Sequence, residues 1–141
     1  MDLKASDNRT QFYAVYKNFS ISNSSDNYRL TLSDYTGNAG DAMLGSDEPD
    51  CNLNGQPFTT IDRDYDPRLN LPEYQKFSHG GWWYGIEDGN DCNCTCANLN
   101  GFWDFSSGKW FDAVRWKQIS NNLDDNYIFF SEMKLRQVPL P

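Results

Sequence analysis

The chain has 141 residues, which fits one domain, and we predict a single domain over 1–141. Its 12 Lys and Arg against 20 Asp and Glu give a net charge of −8. This balance disfavours nucleic acid or an anionic membrane surface as a partner, because both require clustered cations. No apolar run approaches the roughly 20 residues of a membrane span, so we expect no membrane insertion.

Aromatic residues dominate the apolar part of the composition. Val, Ile, Leu and Phe together number 28, which is borderline for a folded chain, but five Trp and eight Tyr supply the large surfaces that a core needs. The chain also holds 16 Asp against 4 Glu, and 15 Asn. Asp and Asn favour turns over helix interiors, so we expect a small aromatic core, few short helices and much irregular chain.

The predicted elements are short strands joined by turns. Residues 12–21 mix aromatic and polar side chains, and 27–32 alternates with Tyr28, Leu30 and Leu32 on one face, which is typical of half-buried strands. Gly, Asn and Asp predict a turn with one helical turn over 37–44 and a loop over 45–57. Short apolar segments follow, of which the first and last are predicted strands: 58–61, 82–84, 103–105, 114–116 and 133–138.

The cysteines and the N-x-[ST] acceptors favour an oxidising, secretory compartment. The cysteines are Cys51, Cys92, Cys94 and Cys96, and the predicted glycosylation acceptors are Asn8, Asn18, Asn23 and Asn93. Residues 1–4 do not resemble a signal peptide, so we expect either a leaderless chain or a piece of a longer one.

Two interpretations of the cluster formed by Cys92, Cys94 and Cys96 are open. Disulfides are favoured over a zinc site, because only Cys51 and His79 could complete a ligand set around the cluster. Four cysteines allow three pairings, and the one with least strain joins Cys51 to one cluster member and Cys92 to Cys96.

The acidic run after residue 61 is a candidate metal site. Asp62, Asp64 and Asp66 alternate, so a curled segment could bring carboxylates and backbone carbonyls onto one hard cation such as calcium. An EF-hand is disfavoured because Pro67 occupies the position that requires a glycine turn. A solvated acidic turn without metal is the alternative.

The chain contains seven short motifs. Any one of them is weak evidence for a family, but their order is strongly specific. They are Asn27-Tyr28-Arg29-Leu30, Tyr35-Thr36-Gly37-Asn38-Ala39-Gly40-Asp41-Ala42, Phe58-Thr59-Thr60-x-Asp62-x-Asp64-x-Asp66, Gly80-Gly81-Trp82-Trp83-Tyr84, Asn98-Leu99-Asn100-Gly101, Val114-Arg115-Trp116 and Glu132-Met133-Lys134-Leu135-Arg136. In this order they resemble the fibrinogen C-terminal globular domain, which fibrinogen chains, ficolins, tachylectins, angiopoietins and tenascins share.

The resemblance covers about 12–138 and implies a partial domain. The implied fold is α+β, with short antiparallel strands, few short helices and long ordered loops. The chain resembles the carboxy-terminal part of the family domain, with the remainder of the central sheet and the calcium- and ligand-binding subdomain. The family's amino-terminal disulfide subdomain would precede Met1.

The resemblance also implies a calcium site in the acidic run. The ligands would be the carboxylates of Asp64 and Asp66 and the backbone carbonyls of Arg68 and Asn70. Asp62 would hydrogen-bond to the loop and would not coordinate the calcium.

The family's ligand pocket would lie close to the calcium. It maps to Cys94, Thr95, Trp110 and Phe111, where Thr95 replaces a usual His and Trp110 a usual Tyr. The alternative is that Trp110 and Phe111 pack in the core. Cys94 matches one half of a family disulfide whose other half is absent, since Leu71 to Tyr74 stands in that region. Ser78 and Phe111 replace the carboxylates of a fibrin-type pocket, which disfavours that pocket.

No catalytic constellation is visible, since His79 has no evident Ser or Cys partner, and we predict that the chain is not an enzyme. The resemblance implies a secreted, calcium-dependent domain that binds acetylated glycans in defence. The alternatives are a domain that binds an extracellular protein receptor or matrix, of angiopoietin or tenascin type, or a non-functional truncated product. Oligomerisation, if any, would depend on an absent amino-terminal coiled coil or collagen stalk.

Overall fold

A four-stranded antiparallel sheet organises the part of the chain that the computed structural model describes, namely residues 1–5, 11–45, 52–65, 80–85, 96–101, 114–116, 119 and 128–137. Its strands are β1 (Asp2–Ala5), β2 (Gln11–Ile21), β3 (Leu30–Gly37) and β8 (Ile128–Glu132), in the order β3-β2-β1-β8. Two smaller ladders pair β4 (Phe58–Thr59) with β5 (Trp82–Trp83) and β6 (Ala97–Asn98) with β7 (Arg115–Trp116). Within these described ranges, short antiparallel strands with little helix confirm the predicted fold class.

Alternation along β2 separates two faces of the sheet. Phe12, Ala14 and Tyr16 pack on the core, whereas Tyr13 and Val15 are about half exposed. Strand β2 pairs with β3 from Ala14–Gly37 to Ile21–Leu30, with register shifts between these ends. The strand predicted over 12–21 is therefore confirmed.

The strand predicted over 27–32 begins later than expected. A 3-10 helix, Ser24–Asp26, is capped by the Asn23 side chain, and Asn27 and Tyr28 then adopt positive φ angles of 53°. This turn points Tyr28 away from the core, so its side chain is half exposed. Leu30 and Leu32 are buried as predicted, but Tyr28 does not share their face.

The predicted final strand is also displaced. Pairing with β1 ends at Asp2–Glu132, so β8 spans Ile128–Glu132 and no β1 residue remains to pair beyond it. Residues 133–137 run on without strand structure. Lys134 anchors this segment, because its Nζ donates to Asp2 Oδ2 at 2.7 Å and lies 3.0 Å from Glu132 Oε2.

The core is small and aromatic, as the composition predicts. Its largest fully buried side chains, each under 2 % exposed, are Trp82, Trp116, Tyr84, Leu30, Met43, Leu53, Ile128 and Asn98. No helix in the described part of the chain has the length and apolarity that a membrane crossing needs.

The turn at residues 39–45 accepts hydrogen bonds from Tyr16, near the start of the chain, and from Trp116, near its end. Trp116 Nε1 donates to the carbonyls of Ala39 (3.1 Å) and Gly40 (3.0 Å). Asp41 Oδ1 accepts from Tyr16 Oη on β2 and from Leu44 N, both at 3.0 Å. Burial raises the pKa of Tyr16 well above its ordinary value, so the phenol stays protonated and continues to donate.

Replacing Trp116 with Phe tests the importance of this link. The variant removes the indole donor from the carbonyls of Ala39 and Gly40, of which Gly40 O still accepts from Ala42 N. It also opens space beside Tyr16, whose ring centroid lies 6.4 Å from that of Trp116. We expect it to lower the free energy of unfolding by about 2–4 kcal/mol, since an orphaned buried acceptor and a lost contact add. Urea denaturation followed by circular dichroism measures this change. The control is Tyr28→Phe, on a half-exposed side chain, with an expected change within about 0.5 kcal/mol. Equal changes in the two variants would contradict this account.

Candidate calcium and ligand site

The acidic run begins in a tight turn. Thr60 N donates to Arg63 O at 2.9 Å, and Arg63 N donates back to Thr60 O at 3.1 Å. Inside the turn, Thr60 Oγ1 donates to Asp62 Oδ1 at 2.7 Å. One carboxylate oxygen of Asp62 is therefore used to close the turn, as the resemblance implies.

Tyr65 fixes the chain on the other side of Asp64. Its backbone N donates to Thr59 Oγ1 at 3.1 Å, and its Oη donates to Asn27 Oδ1 at 2.8 Å. Asn27 is available there because the left-handed turn after the 3-10 helix presents it. Asp64 is exposed, and its neighbours Arg63 and Tyr65 are both held by hydrogen bonds.

An aromatic ladder lies directly before the acidic turn. Phe58 pairs with Trp83, and Thr59 pairs with Trp82. The Phe58 and Trp83 rings meet edge to face with centroids 4.9 Å apart, an arrangement that aromatic quadrupoles favour. Trp83 Nε1 donates to Tyr28 O at 2.9 Å, so the ladder is tied to the same left-handed turn that receives Tyr65.

Close backbone contact joins this ladder to the β6–β7 ladder. A Cβ on Gly80 would lie 2.2 Å from Asn100 O, so only glycine permits this approach. Asn100 Nδ2 donates to Gly81 O at 2.8 Å, and Asn100 N donates to Asn98 Oδ1 at 3.1 Å. The Gly-Gly-Trp-Trp and Asn-Leu-Asn-Gly motifs thus contact each other.

The structure places only some of the predicted site residues. Asp64 is described, whereas the other predicted calcium ligands and the whole predicted pocket lie outside the described residues: Asp66, Arg68, Asn70, Cys94, Thr95, Trp110 and Phe111. Within the described ranges, no group of three or more His, Cys, Asp or Glu side chains is arranged to hold a metal. The calcium site and the pocket therefore stay predictions.

Among the cysteines, Cys96 is described. It is 3 % exposed and disulfide-bonded. Its partner belongs to the set Cys51, Cys92 and Cys94, which lies outside the described residues, so the pairing stays a prediction.

Two of the predicted glycosylation acceptors are described, and both are exposed. Asn23 Oδ1 accepts from Ser25 N at 3.0 Å and from Ser25 Oγ at 2.6 Å. Asn18 has a positive φ of 51°, and its Nδ2 donates to Ser33 Oγ at 2.8 Å. Asn8 and Asn93 lie outside the described residues.

Sequence reasoning missed the residues that support the acidic run. The Tyr65–Asn27 bond spans 38 residues, and no local spacing predicts such a contact. It also missed Ile61, whose side chain is 98 % exposed at the tip of the acidic turn. An apolar residue inside an acidic turn is the one signal that could have drawn attention to it.

Comparison with known proteins explains this arrangement of motifs. A family model for the C-terminal globular domain of fibrinogen beta and gamma chains matches residues 1–138. The chain belongs to this family. Human Angiopoietin-related protein 6 is 37 % identical to it over 110 residues, which cover 75 % of this chain and 20 % of that protein.

Solved fibrinogen-like structures match the fold. The fibrinogen-like globe domain of human ANGPTL2 superposes with a TM-score of 0.66 at 29 % identity, covering 90 % of this chain and 51 % of that one. Lamprey fibrin D-dimer, in complex with the peptide Gly-His-Arg-Pro-amide, matches with a TM-score of 0.66 at 27 % identity, covering 90 % and 41 %. The fibrinogen-like chain thus spans about half of a solved globe and well under half of the curated relatives it matches.

The Thr60–Asp62 hydrogen bond gives a pH-dependent prediction. The bond from Thr60 stabilises the carboxylate and holds the pKa of Asp62 below the ordinary Asp value. The hydrogen-bonded turn is therefore stabilised at pH values above the ordinary Asp pKa. This stabilisation is lost as the pH falls through the lowered pKa of Asp62.

Thr60→Val removes the hydroxyl but keeps the shape of the side chain, so we expect the pKa of Asp62 to return towards its ordinary value. NMR titration of the Asp62 carboxyl carbon in both proteins measures the change. Asp64, measured in the same spectra, is the internal control. An Asp62 pKa that does not respond to the substitution would contradict the role assigned to Thr60.

Proposed function

We propose that this fibrinogen-like domain is an extracellular recognition module that binds acetylated glycans with the help of calcium. One observation carries the proposal: a hydrogen-bonded acidic turn follows directly on a buried aromatic ladder, and both are tied to the turn at Asn27–Tyr28. A hydrogen-bonded turn that carries exposed acidic side chains suits a recognition site, because little conformational entropy is lost on binding. The proposal assigns no catalytic role to the domain.

Calcium is supported by the chemistry of the donors. Asp64 presents an exposed carboxylate between two anchored neighbours, and Asp66 follows at the alternate position. The resemblance adds the carbonyls of Arg68 and Asn70, which would complete an all-oxygen set of the kind that calcium prefers. A bound calcium would supply charge neutralisation and would order the segment that follows Tyr65.

The glycan pocket is supported by the anchoring of the chain on its borders. Cys96 is buried and disulfide-bonded immediately after the proposed pocket residues Cys94 and Thr95. Val114 is buried three residues after Phe111, where β7 begins to form. Aromatic walls at Trp110 and Phe111 with a few polar groups would suit the methyl and carbonyl of an acetyl group.

Calcium is expected to stabilise the folded protein. Ligand that binds only the native state adds about 2.7 kcal/mol at a hundredfold excess over Kd, which corresponds to on the order of 10 °C in Tm for a domain of this size. Asp64→Asn with Asp66→Asn should abolish this shift. The matched control, Asp2→Asn with Asp34→Asn, removes the same charge from the four-stranded sheet and should keep it. Differential scanning calorimetry in calcium and in chelator measures the Tm of each protein. A parent protein with the same Tm in both conditions would contradict the calcium site.

Glycan recognition is tested separately from calcium. On a glycan array, we expect acetylated sugars to be retained in calcium and released by chelator, and the Asp64→Asn, Asp66→Asn variant to bind at least tenfold more weakly than the Asp2→Asn, Asp34→Asn control. If acetylated sugars bind equally in calcium and in chelator, the lectin proposal stands and the calcium proposal is rejected. A folded, calcium-loaded protein with no retained sugar would reject the lectin proposal.

A second candidate function is recognition of an extracellular protein. It is supported by Ile61, an apolar side chain 98 % exposed at the tip of the acidic turn. The similarity to lamprey fibrin D-dimer, which is in complex with a peptide ligand, supports the same class of partner. Loss of receptor binding in Ile61→Ser, with glycan binding unchanged, would distinguish this function from the first.

A further inference from the structure

The tetrapeptide Asn-Leu-Asn-Gly occurs twice in the chain, at 52–55 (the first motif) and at 98–101 (the second motif). Both motifs form the same local turn, in which the side chain of the first Asn accepts a hydrogen bond from the backbone N of the second Asn. The donor–acceptor distance is 2.9 Å in the first motif and 3.1 Å in the second. The second Asn, which is Asn54 or Asn100, is exposed in both motifs and precedes a glycine.

An exposed Asn-Gly pair is prone to lose the side-chain amide, because glycine has no Cβ to obstruct the five-membered ring that forms. The glycine backbone N gives up its proton and attacks Cγ of the asparagine. A new C–N bond forms, the Cγ–Nδ2 bond breaks, and Nδ2 leaves as ammonia with that proton. Water then opens the succinimide at either carbonyl to give aspartate or isoaspartate, so one water is consumed for each ammonia released and nothing is oxidised. The reaction therefore requires a glycine backbone N that can approach Cγ.

The first motif is held against this reaction at both reacting groups. Gly55 N donates to Leu30 O at 2.8 Å, and Asn54 Oδ1 accepts from Leu32 N, also at 2.8 Å. Leu30 and Leu32 are buried residues of β3. Attack by Gly55 N would break both hydrogen bonds and leave buried backbone groups without partners, which is costly.

The second motif lacks this protection of the nucleophile. Gly101 N makes no hydrogen bond to any residue that the structure describes. The Asn100 side chain is held by its amide nitrogen, since Nδ2 donates to Gly81 O at 2.8 Å in an exposed hydrogen bond. Among the contacts of the described residues, this one exposed bond is what must open before Gly101 N attacks.

We propose that Asn100 is a deamidation site of the folded protein, that Asn54 is protected, and that the reaction removes a link between the β4–β5 and β6–β7 ladders. A carboxylate would stand where Nδ2 now donates to Gly81 O, and a carboxylate accepts hydrogen bonds but does not donate them. Isoaspartate would also add a methylene to the main chain where Gly80 and Asn100 are in close backbone contact. The assignment does not depend on calcium or on glycan binding.

The test follows both motifs in the same molecule. The full 141-residue chain is incubated in mildly alkaline buffer at physiological temperature, digested, and mapped by mass spectrometry, with isoaspartyl methyltransferase to detect isoaspartate. We expect Asn100 to be converted several-fold faster than Asn54. In urea the two rates should become equal, because Leu precedes and Gly follows the reacting Asn in both motifs.

Three results of this mapping overturn the proposal. They are no conversion of Asn100, a rate at Asn54 that equals or exceeds the rate at Asn100 in the folded protein, and a preference for Asn100 that persists unchanged in urea. The last result would assign the preference to the local sequence and not to the fold.

A pair of variants tests the consequence for the ladders. Asn100→Asp and Asn54→Asp add the same charge, but a carboxylate at 54 can still accept from Leu32 N, whereas a carboxylate at 100 has no donor for Gly81 O. We expect Asn100→Asp to lower the Tm by a few degrees and Asn54→Asp to leave it unchanged. An Asn100→Asp chain that does not fold beside a folded Asn54→Asp chain is the same result in a stronger form. Equal Tm values in the two variants would contradict the loss of the link.

Discussion

The hydrogen bonds from the Trp116 indole to the carbonyls of Ala39 and Gly40 connect parts of the chain that lie 77 and 76 residues apart. The turn that receives them also presents Asp41 to Tyr16, so the same few residues fix β2, β3 and β7 relative to one another. A chain with about a fifth of its residues in Val, Ile, Leu and Phe has little aliphatic surface to bury. Trp116, Trp83 and Tyr84 compensate for this, because each combines apolar burial with a directional hydrogen bond.

The same principle operates around the acidic turn. Trp83 packs on Phe58 and donates to Tyr28, and Tyr65 donates to Asn27, so two aromatic residues from different segments meet one left-handed turn. The acidic run therefore starts from a fixed point. The hydrogen bonds of Thr60 and Tyr65 hold the backbone on both sides of Asp64.

The proposed recognition site depends on the short β4–β5 and β6–β7 ladders, which Asn100 and Gly80–Gly81 join by a direct backbone contact.

The sequence by itself determined the family, the strand over 12–21, the burial of Leu30 and Leu32, and the placement of the acidic run directly after a short strand. These follow from period-two alternation and from motif order, which are local properties of the chain. Tertiary structure alone decided that Tyr28 turns outward and that the last strand ends at Glu132, since a left-handed turn overrode the alternation and the pairing with β1 ends at Asp2. It also decided the Asn27–Tyr65 and Ala39–Trp116 bonds, because contacts across 38 and 77 residues leave no periodic trace in the segments that make them.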